Sequence, residues 1–153
     1  MIENAIDFAY KRMKEKKWEK IYVLVDIHNT VFRPSYHNKE KYEWFVGAKE
    51  ALQFMSCNDK ISLILWSSSH QESIDKYIKV FETNGIHFDY INENPEVEND
   101  DLCCFDKKLY FNIGIDDKFG FDGDNGDWLS LIGRMRTLFP ISNKEIRAEE
   151  TIV

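Results

Sequence analysis

Ile21-Tyr22-Val23-Leu24-Val25-Asp26-Ile27-His28-Asn29-Thr30 is the stretch on which the fold turns. Its five leading apolar residues are too few for a helix of ordinary length and rich in β-branched side chains, so they predict a buried strand. A carboxylate comes directly after them. The pattern recurs twice: Ser67 comes after Ile61-Ser62-Leu63-Ile64-Leu65-Trp66, and Asp116-Asp117 after Phe111-Asn112-Ile113-Gly114-Ile115. If the strands are parallel neighbours, their carboxyl ends share one edge of a sheet, where open α/β sheets bind ligands. Two acidic clusters and a hydroxyl meeting there suit a divalent cation and a phosphate.

The segments between the strands read as helices. Residues 3–17 predict an amphipathic helix with Ile6, Phe8, Ala9, Met13 and Trp18 facing inward. Residues 27–42 read as irregular, and a second helix over 43–57 carries Trp44, Phe45, Ala48, Leu52 and Met55 at helical spacing. Ser69-His70-Gln71-Glu72 matches a capping box and predicts a helix from there to about residue 84, stopped by Asn84-Gly85. A short third strand over 87–91, an acidic irregular stretch over 92–107, a fourth strand over 110–115, a glycine-rich loop over 118–126 and a last helix over 127–138 complete the pattern. Alternating strands and helices predict an α/β, three-layer Rossmann-like fold with a mostly parallel sheet. One domain is expected over 1–141, including the N-terminal helix, with a polar tail over 142–153.

Composition narrows the function classes. The 153 residues suit a single domain, and 43% hydrophobic and 14% aromatic residues are enough for a core. No apolar run reaches the length of a membrane span, and Met1-Ile2-Glu3-Asn4 lacks a signal-peptide pattern, so a cytoplasmic protein with no membrane partner is expected. The net charge of −7 disfavours binding along a nucleic-acid backbone, leaving nucleic acid only as an end to be acted on. The basic run from Lys11 to Lys17 is broken by Glu15 and reads as a solvated helix face. Cys57, Cys103 and Cys104 are odd in number and irregularly spaced, which predicts reduced thiols.

At the strand ends, Asp26 is a charge that is costly unless solvated or bound. A helix cap is an alternative, disfavoured by Pro34 and the polar run after it. Adjacent Asp116 and Asp117 repel, and Mg²⁺, which takes one or two carboxylates plus waters and phosphate oxygens, offsets that repulsion; a solvated turn, suggested by Gly120 and Gly123, is the other reading. Ser67-Ser68-Ser69 sits between a strand and a helix start and forms an anion site, with Ser67 and Ser68 toward phosphate and Ser69 as the cap. Lys108, with Lys107 beside it, precedes the fourth strand and either neutralises a phosphate or is a solvated lysine.

These four elements, in this order, resemble the motifs of the haloacid dehalogenase (HAD) superfamily of phosphotransferases. Val25-Asp26-Ile27-His28-Asn29-Thr30-Val31 is similar to the first motif, Asp-x-Asp-x-Thr after an apolar strand; Leu65-Trp66-Ser67 to the second; Lys108 to the third; Ile115-Asp116-Asp117-Lys118 to the fourth. The resemblance spans about residues 20–136. It implies a Mg²⁺-dependent phosphomonoester hydrolase in which Asp26 forms an aspartyl-phosphate. Mg²⁺ is then held by Asp26, the carbonyl of His28, and Asp116 or Asp117, while Ser67, Ser68 and Lys108 hold phosphoryl oxygens.

His28 departs from the family pattern, which has its acid/base aspartate there. Its imidazole is a replacement acid and base, since an unperturbed histidine titrates near pH ~6.5. A protein that accumulates phosphoenzyme, or a catalytically impaired phosphate- or partner-binding relative, are the alternatives. A response-regulator-like phosphoacceptor places its acidic pair early and its lysine last, the reverse of this chain. No span is long enough for a folded cap domain. An open crevice of that kind suits a larger phosphorylated substrate or a cover from a second subunit in a homo-oligomer, with Arg33, Tyr36 and His37 in the first loop as further contacts.

Overall fold

Residue 22 of the first strand faces one layer of the protein and residue 23 another, and the two layers are built differently. The computed structural model describes residues 1–35 and 41–141. In chain order it contains α1 (Ile2–Lys16), β1 (Ile21–Val25), α2 (Ala48–Ser56), β2 (Ile61–Leu65), α3 (Gln71–Thr83), β3 (Tyr90–Ile91), β4 (Ile113–Ile115) and α4 (Asp127–Leu138), with 3₁₀ turns at Asp117–Phe119 and Gly123–Asn125. The strands form one parallel sheet in the order β3-β2-β1-β4. The expected α/β fold with a parallel sheet is what forms.

Val23 lies opposite Leu63 and Ile113, and Val25 opposite Leu65 and Ile115. The chain steps from β1 to β2 to β3 in one direction, then returns across β1 to lay β4 on its other side. Right-handed crossovers put the connections of these two directions on opposite faces. On one face Ile21, Val23, Val25, Leu63, Leu65, Ile113 and Ile115 pack in a single core with Ile6 and Met13 of α1, Leu52 and Met55 of α2, Phe81 of α3, and Trp128 and Leu131 of α4. The other face, bearing Tyr22, Leu24, Ser62, Ile64 and Tyr90, is covered by the irregular segment 92–112. Tyr22 N–H donates to Asn112 Oδ1 (2.8 Å) and Asn112 N–H to the Tyr22 carbonyl (2.8 Å). Glu96 accepts from Lys20 Nζ (2.7 Å) and from Tyr90 OH (2.7 Å). The Lys20 contact holds the Glu96 carboxyl below its usual range, and the same carboxylate pushes the Tyr90 phenol up to about 12. An acidic strap, not a helix, forms this layer.

Several boundaries differ from expectation. α2 starts at Ala48 rather than residue 43, because Trp44 bridges antiparallel to Phe32, Phe45 N–H donates to the Val31 carbonyl (3.0 Å), and Gly47 caps the helix at φ 87°. The helical spacing of Trp44 and Phe45 came from extended chain packing on Phe32, whose ring lies 4.7 Å from that of Trp44. β3 and β4 are shorter than read. Phe8 is exposed, not inward, with the Arg12 guanidinium 5.9 Å from its ring, while Trp18 packs edge-on to Tyr110. The capping box does not form: His70 is the N-cap without a side-chain bond, and Ser69 N–H donates to Ser67 Oγ (3.1 Å). The Asn84-Gly85 stop does form. Gly85 at φ 71° sends its N–H to Glu82 (3.0 Å), and Ile86 N–H reaches Phe81 (2.9 Å), a Schellman closure. None of the three cysteines is in a disulfide, and among the described residues no helix is long and apolar enough to cross a membrane. The expected tail 142–153, and the contacts assigned to Tyr36 and His37, lie outside the described residues.

Candidate functional site

The pairing of Val25 with both Leu65 and Ile115 sets which residues line up beyond the strand ends. The next residues, Asp26, Trp66 and Asp116, stand in one row, and Asn92 extends it beyond Ile91, the partner of Leu65. Two more ladder bonds carry the register past the strands: Asp26 N–H to the Ile115 carbonyl (2.9 Å) and Trp66 N–H to the Val25 carbonyl (2.9 Å). β1 and β4 flank the point where the winding direction reverses, the place where open α/β sheets form a crevice.

After Asp26 the chain folds back on itself. Val31 N–H donates to the Ile27 carbonyl (2.9 Å), Asn29 takes a left-handed φ of 55°, and Ile27, Thr30 and Val31 are buried. Buried Trp128 of α4 donates its indole N–H to the Thr30 carbonyl (2.8 Å) and anchors the turn to the core. Thr30 Oγ1 donates to Asp26 Oδ2 (2.9 Å) and accepts from Asp117 N–H (3.1 Å), so one hydroxyl spans both acidic clusters. Asn29 Nδ2 donates to Asp117 Oδ2 (3.1 Å), and Asp116 Oδ1 accepts from Lys118 N–H (2.9 Å). One carboxylate oxygen from each of Asp26, Asp116 and Asp117 lies within 4.8 Å of the other two.

Electrostatics make this cluster short of positive charge. Burial pushes the Asp26 carboxyl up; the Thr30 hydrogen bond opposes this, and the Asp116 and Asp117 charges add to it. Burial also pushes Asp116 up, against the Lys118 N–H and with Asp117. Three hard oxygen donors this close, two of them disfavoured as anions, fit a divalent cation such as Mg²⁺. Both groups have folded pKa values above the unfolded 3.8, so the folded state binds more protons in between, and stability falls as pH rises through that window. In chelator at neutral pH, Asp116→Asn is expected to melt above the wild type, and the gap to close as pH falls toward 3.8. Excess Mg²⁺ is expected to raise the wild-type Tm and not that of the variant. Thermal unfolding with and without metal reads both; a variant that melts lower than wild type in chelator would contradict the charge argument.

The remaining expected residues sit at varying distance from this cluster. Ser67 is half-buried and clamped by Asn92, which accepts its N–H (2.8 Å) and donates to its carbonyl (2.8 Å) from a left-handed φ of 54°. Its hydroxyl accepts from Ser69 N–H and keeps its own proton to donate. Ser68 is exposed. His28 is exposed and turned toward α3, with Nε2 3.0 Å from Tyr77 OH and 3.3 Å from Ser69 Oγ. Lys108 is exposed and is joined to the acidic cluster by no hydrogen bond or ion pair among the described residues, whereas Lys107 lines a cleft beside Trp66. Arg33 is committed elsewhere, to Asp124 (2.6 Å) and the Phe45 ring (4.6 Å). Asn92, Tyr77 and Trp128 do not stand out in the sequence as site residues. Only Asn92 carries a signal, a polar residue directly after a strand, as Asp26 is and Ser67, one residue further on, nearly is.

No protein-family model matches the chain, and no curated protein matches it. Among solved structures it is similar to one described as the conserved protein coded by locus from Bacteroides thetaiotaomicron, at 24% identity over 83% of this chain and 97% of that one, with a TM-score of 0.58. At that identity the likeness bears on the fold alone.

Proposed function

We propose that the protein is a Mg²⁺-dependent phosphomonoester hydrolase of HAD type that acts through an aspartyl-phosphate on Asp26. The observation that carries this reading is the convergence of Asp26, Asp116 and Asp117 oxygens within 4.8 Å at the reversal point of a parallel sheet. Asp26, Asp116 and Asp117 would hold Mg²⁺, with the carbonyl of His28 as a further ligand. The bound ion supplies positive charge against an anionic nucleophile and an anionic substrate.

The chain's own residues do the rest. Thr30 donates to Asp26 Oδ2, and the Ile27 backbone N–H also steadies the carboxylate, which orients it for attack on phosphorus. The phosphorus–oxygen bond to the alcohol breaks as the Asp26–phosphorus bond forms, and His28 gives a proton to the departing alkoxide. Water then attacks the phosphorus, His28 takes its proton, and phosphate leaves with the Asp26 carboxylate restored. Ser67 donates its hydroxyl to a phosphoryl oxygen from the neighbouring strand end. Lys108 has the charge to neutralise phosphate if its loop carries it inward on binding.

The test is turnover of p-nitrophenyl phosphate, expected with Mg²⁺ and lost in chelator. Equal rates in the two conditions would refute the reading. Binding without turnover is the second reading, favoured because His28 Nε2 is already engaged by Tyr77 and Ser69. It predicts that beryllium fluoride with Mg²⁺ raises the Tm while no phosphoester is hydrolysed, and that His28→Asp gains activity.

A further inference from the structure

A cleft of about 510 Å³ opens on the strap side of the sheet, within the size range of small-ligand sites. Its walls are the 92–99 and 105–109 segments and the Trp66 indole. Asn99 Nδ2 donates to Asp106 Oδ1 (2.8 Å) and ties the two walls, while buried Asn94 donates to the Tyr110 carbonyl (2.8 Å) beneath them. Trp66 places the cleft at the same sheet edge as the acidic cluster: its N–H is bonded to Val25, the residue before Asp26, and Ser67 comes next in the chain.

The lining selects for positive charge. Glu93, Glu98 and Asp106 face it against Lys107, its single cation among the described residues. Neither Glu93 nor Glu98 has a hydrogen bond or ion pair among the described residues, and the Asn99 bond holds Asp106 below its usual range and so ionised. These carboxylates do not converge. Among the described residues the one acidic group tight enough to share an ion is Asp26, Asp116 and Asp117. The cleft therefore suits a bulky organic cation rather than a chelated metal. Trp66, 37% exposed, and Phe105 add ring faces to which an ammonium is attracted.

We infer that the cleft receives an organic ammonium group carried on the alcohol portion of the phosphomonoester whose phosphate sits at Asp26. The substrate assignment rests on the phosphatase reading; the ammonium pocket does not. Phosphocholine and its uncharged isostere 3,3-dimethylbutyl phosphate differ only in that charge. Wild type is expected to favour phosphocholine in kcat/KM by at least about tenfold, and the ratio to collapse toward unity in Glu93→Gln/Glu98→Gln, two exposed positions whose change leaves the core intact. Choline alone is expected to shift the Trp66 indole N–H resonance, assigned by its loss in Trp66→Phe, and not to shift it in the double variant. Equal rates on the two esters, with p-nitrophenyl phosphate turned over and the indole unmoved, overturn the inference and leave the phosphatase standing. A choline shift with no ester hydrolysed keeps the pocket and overturns the substrate assignment together with the phosphatase.

Discussion

On the proposed phosphatase mechanism, Asp26→Asn is expected to abolish Mg²⁺-dependent hydrolysis of p-nitrophenyl phosphate, a loss on the order of 10³-fold or more in kcat. An amide oxygen is a poor nucleophile toward phosphorus, and in the proposed mechanism the two neighbouring carboxylates, Asp116 and Asp117, are taken up in holding the metal. The substitution is conservative in shape. The introduced amide oxygen still accepts the Thr30 hydroxyl where Asp26 Oδ2 does now, so the turn over 27–31 keeps its anchor. It also removes a charge that burial and two neighbouring carboxylates disfavour, so metal-free stability should hold or rise. Inactivity therefore cannot be put down to unfolding. A variant that folds, binds Mg²⁺ and keeps more than about a tenth of wild-type kcat would remove Asp26 from the role of nucleophile.

Trp128→Ala is expected to cost about 3–5 kcal/mol, a large share of the roughly 5–15 kcal/mol of a typical domain. Trp128 is fully buried, packs edge-on against Phe121 at 4.8 Å, and holds the Thr30 carbonyl from the core side. Removing it opens a cavity and strands that carbonyl at once. Trp128→Phe separates the two effects: the space stays largely filled, and the orphaned carbonyl alone costs about 1–3 kcal/mol. Because Thr30 also holds Asp26 and Asp117, the Phe variant should lose Mg²⁺ affinity out of proportion to its stability. Urea unfolding read by far-ultraviolet circular dichroism, with Mg²⁺ titration of the folded variants, measures both. A Trp128→Ala cost below about 1 kcal/mol would show that the indole is not the anchor.

Much of the site was legible because its residues end strands. Asp26, Asp116 and Asp117 stand out as charges after apolar runs, and a parallel sheet must gather such ends on one edge. Thr30 was visible within its motif but not its task, since its two partners come from different elements. Trp128 falls within the segment expected to be helical, 127–138, and nothing local marks an indole that bonds a carbonyl far away in the chain. Asn92 and Tyr77 act on Ser67 and His28 across loops of unspecified path. Trp44 and Phe45 misled for the opposite reason, as helical spacing can also arise from extended chain against an aromatic cluster.

The chain alone determined its alternation of short apolar runs and amphipathic segments, and hence a parallel α/β sheet, because run length and side-chain period are properties of the local backbone. Only the tertiary structure decided the strand order, the register that aligns Asp26 with Asp116, and the unusual second layer in which an acidic strap replaces a helix. Those depend on which distant groups meet once the core closes, and a linear pattern does not carry the distances between them.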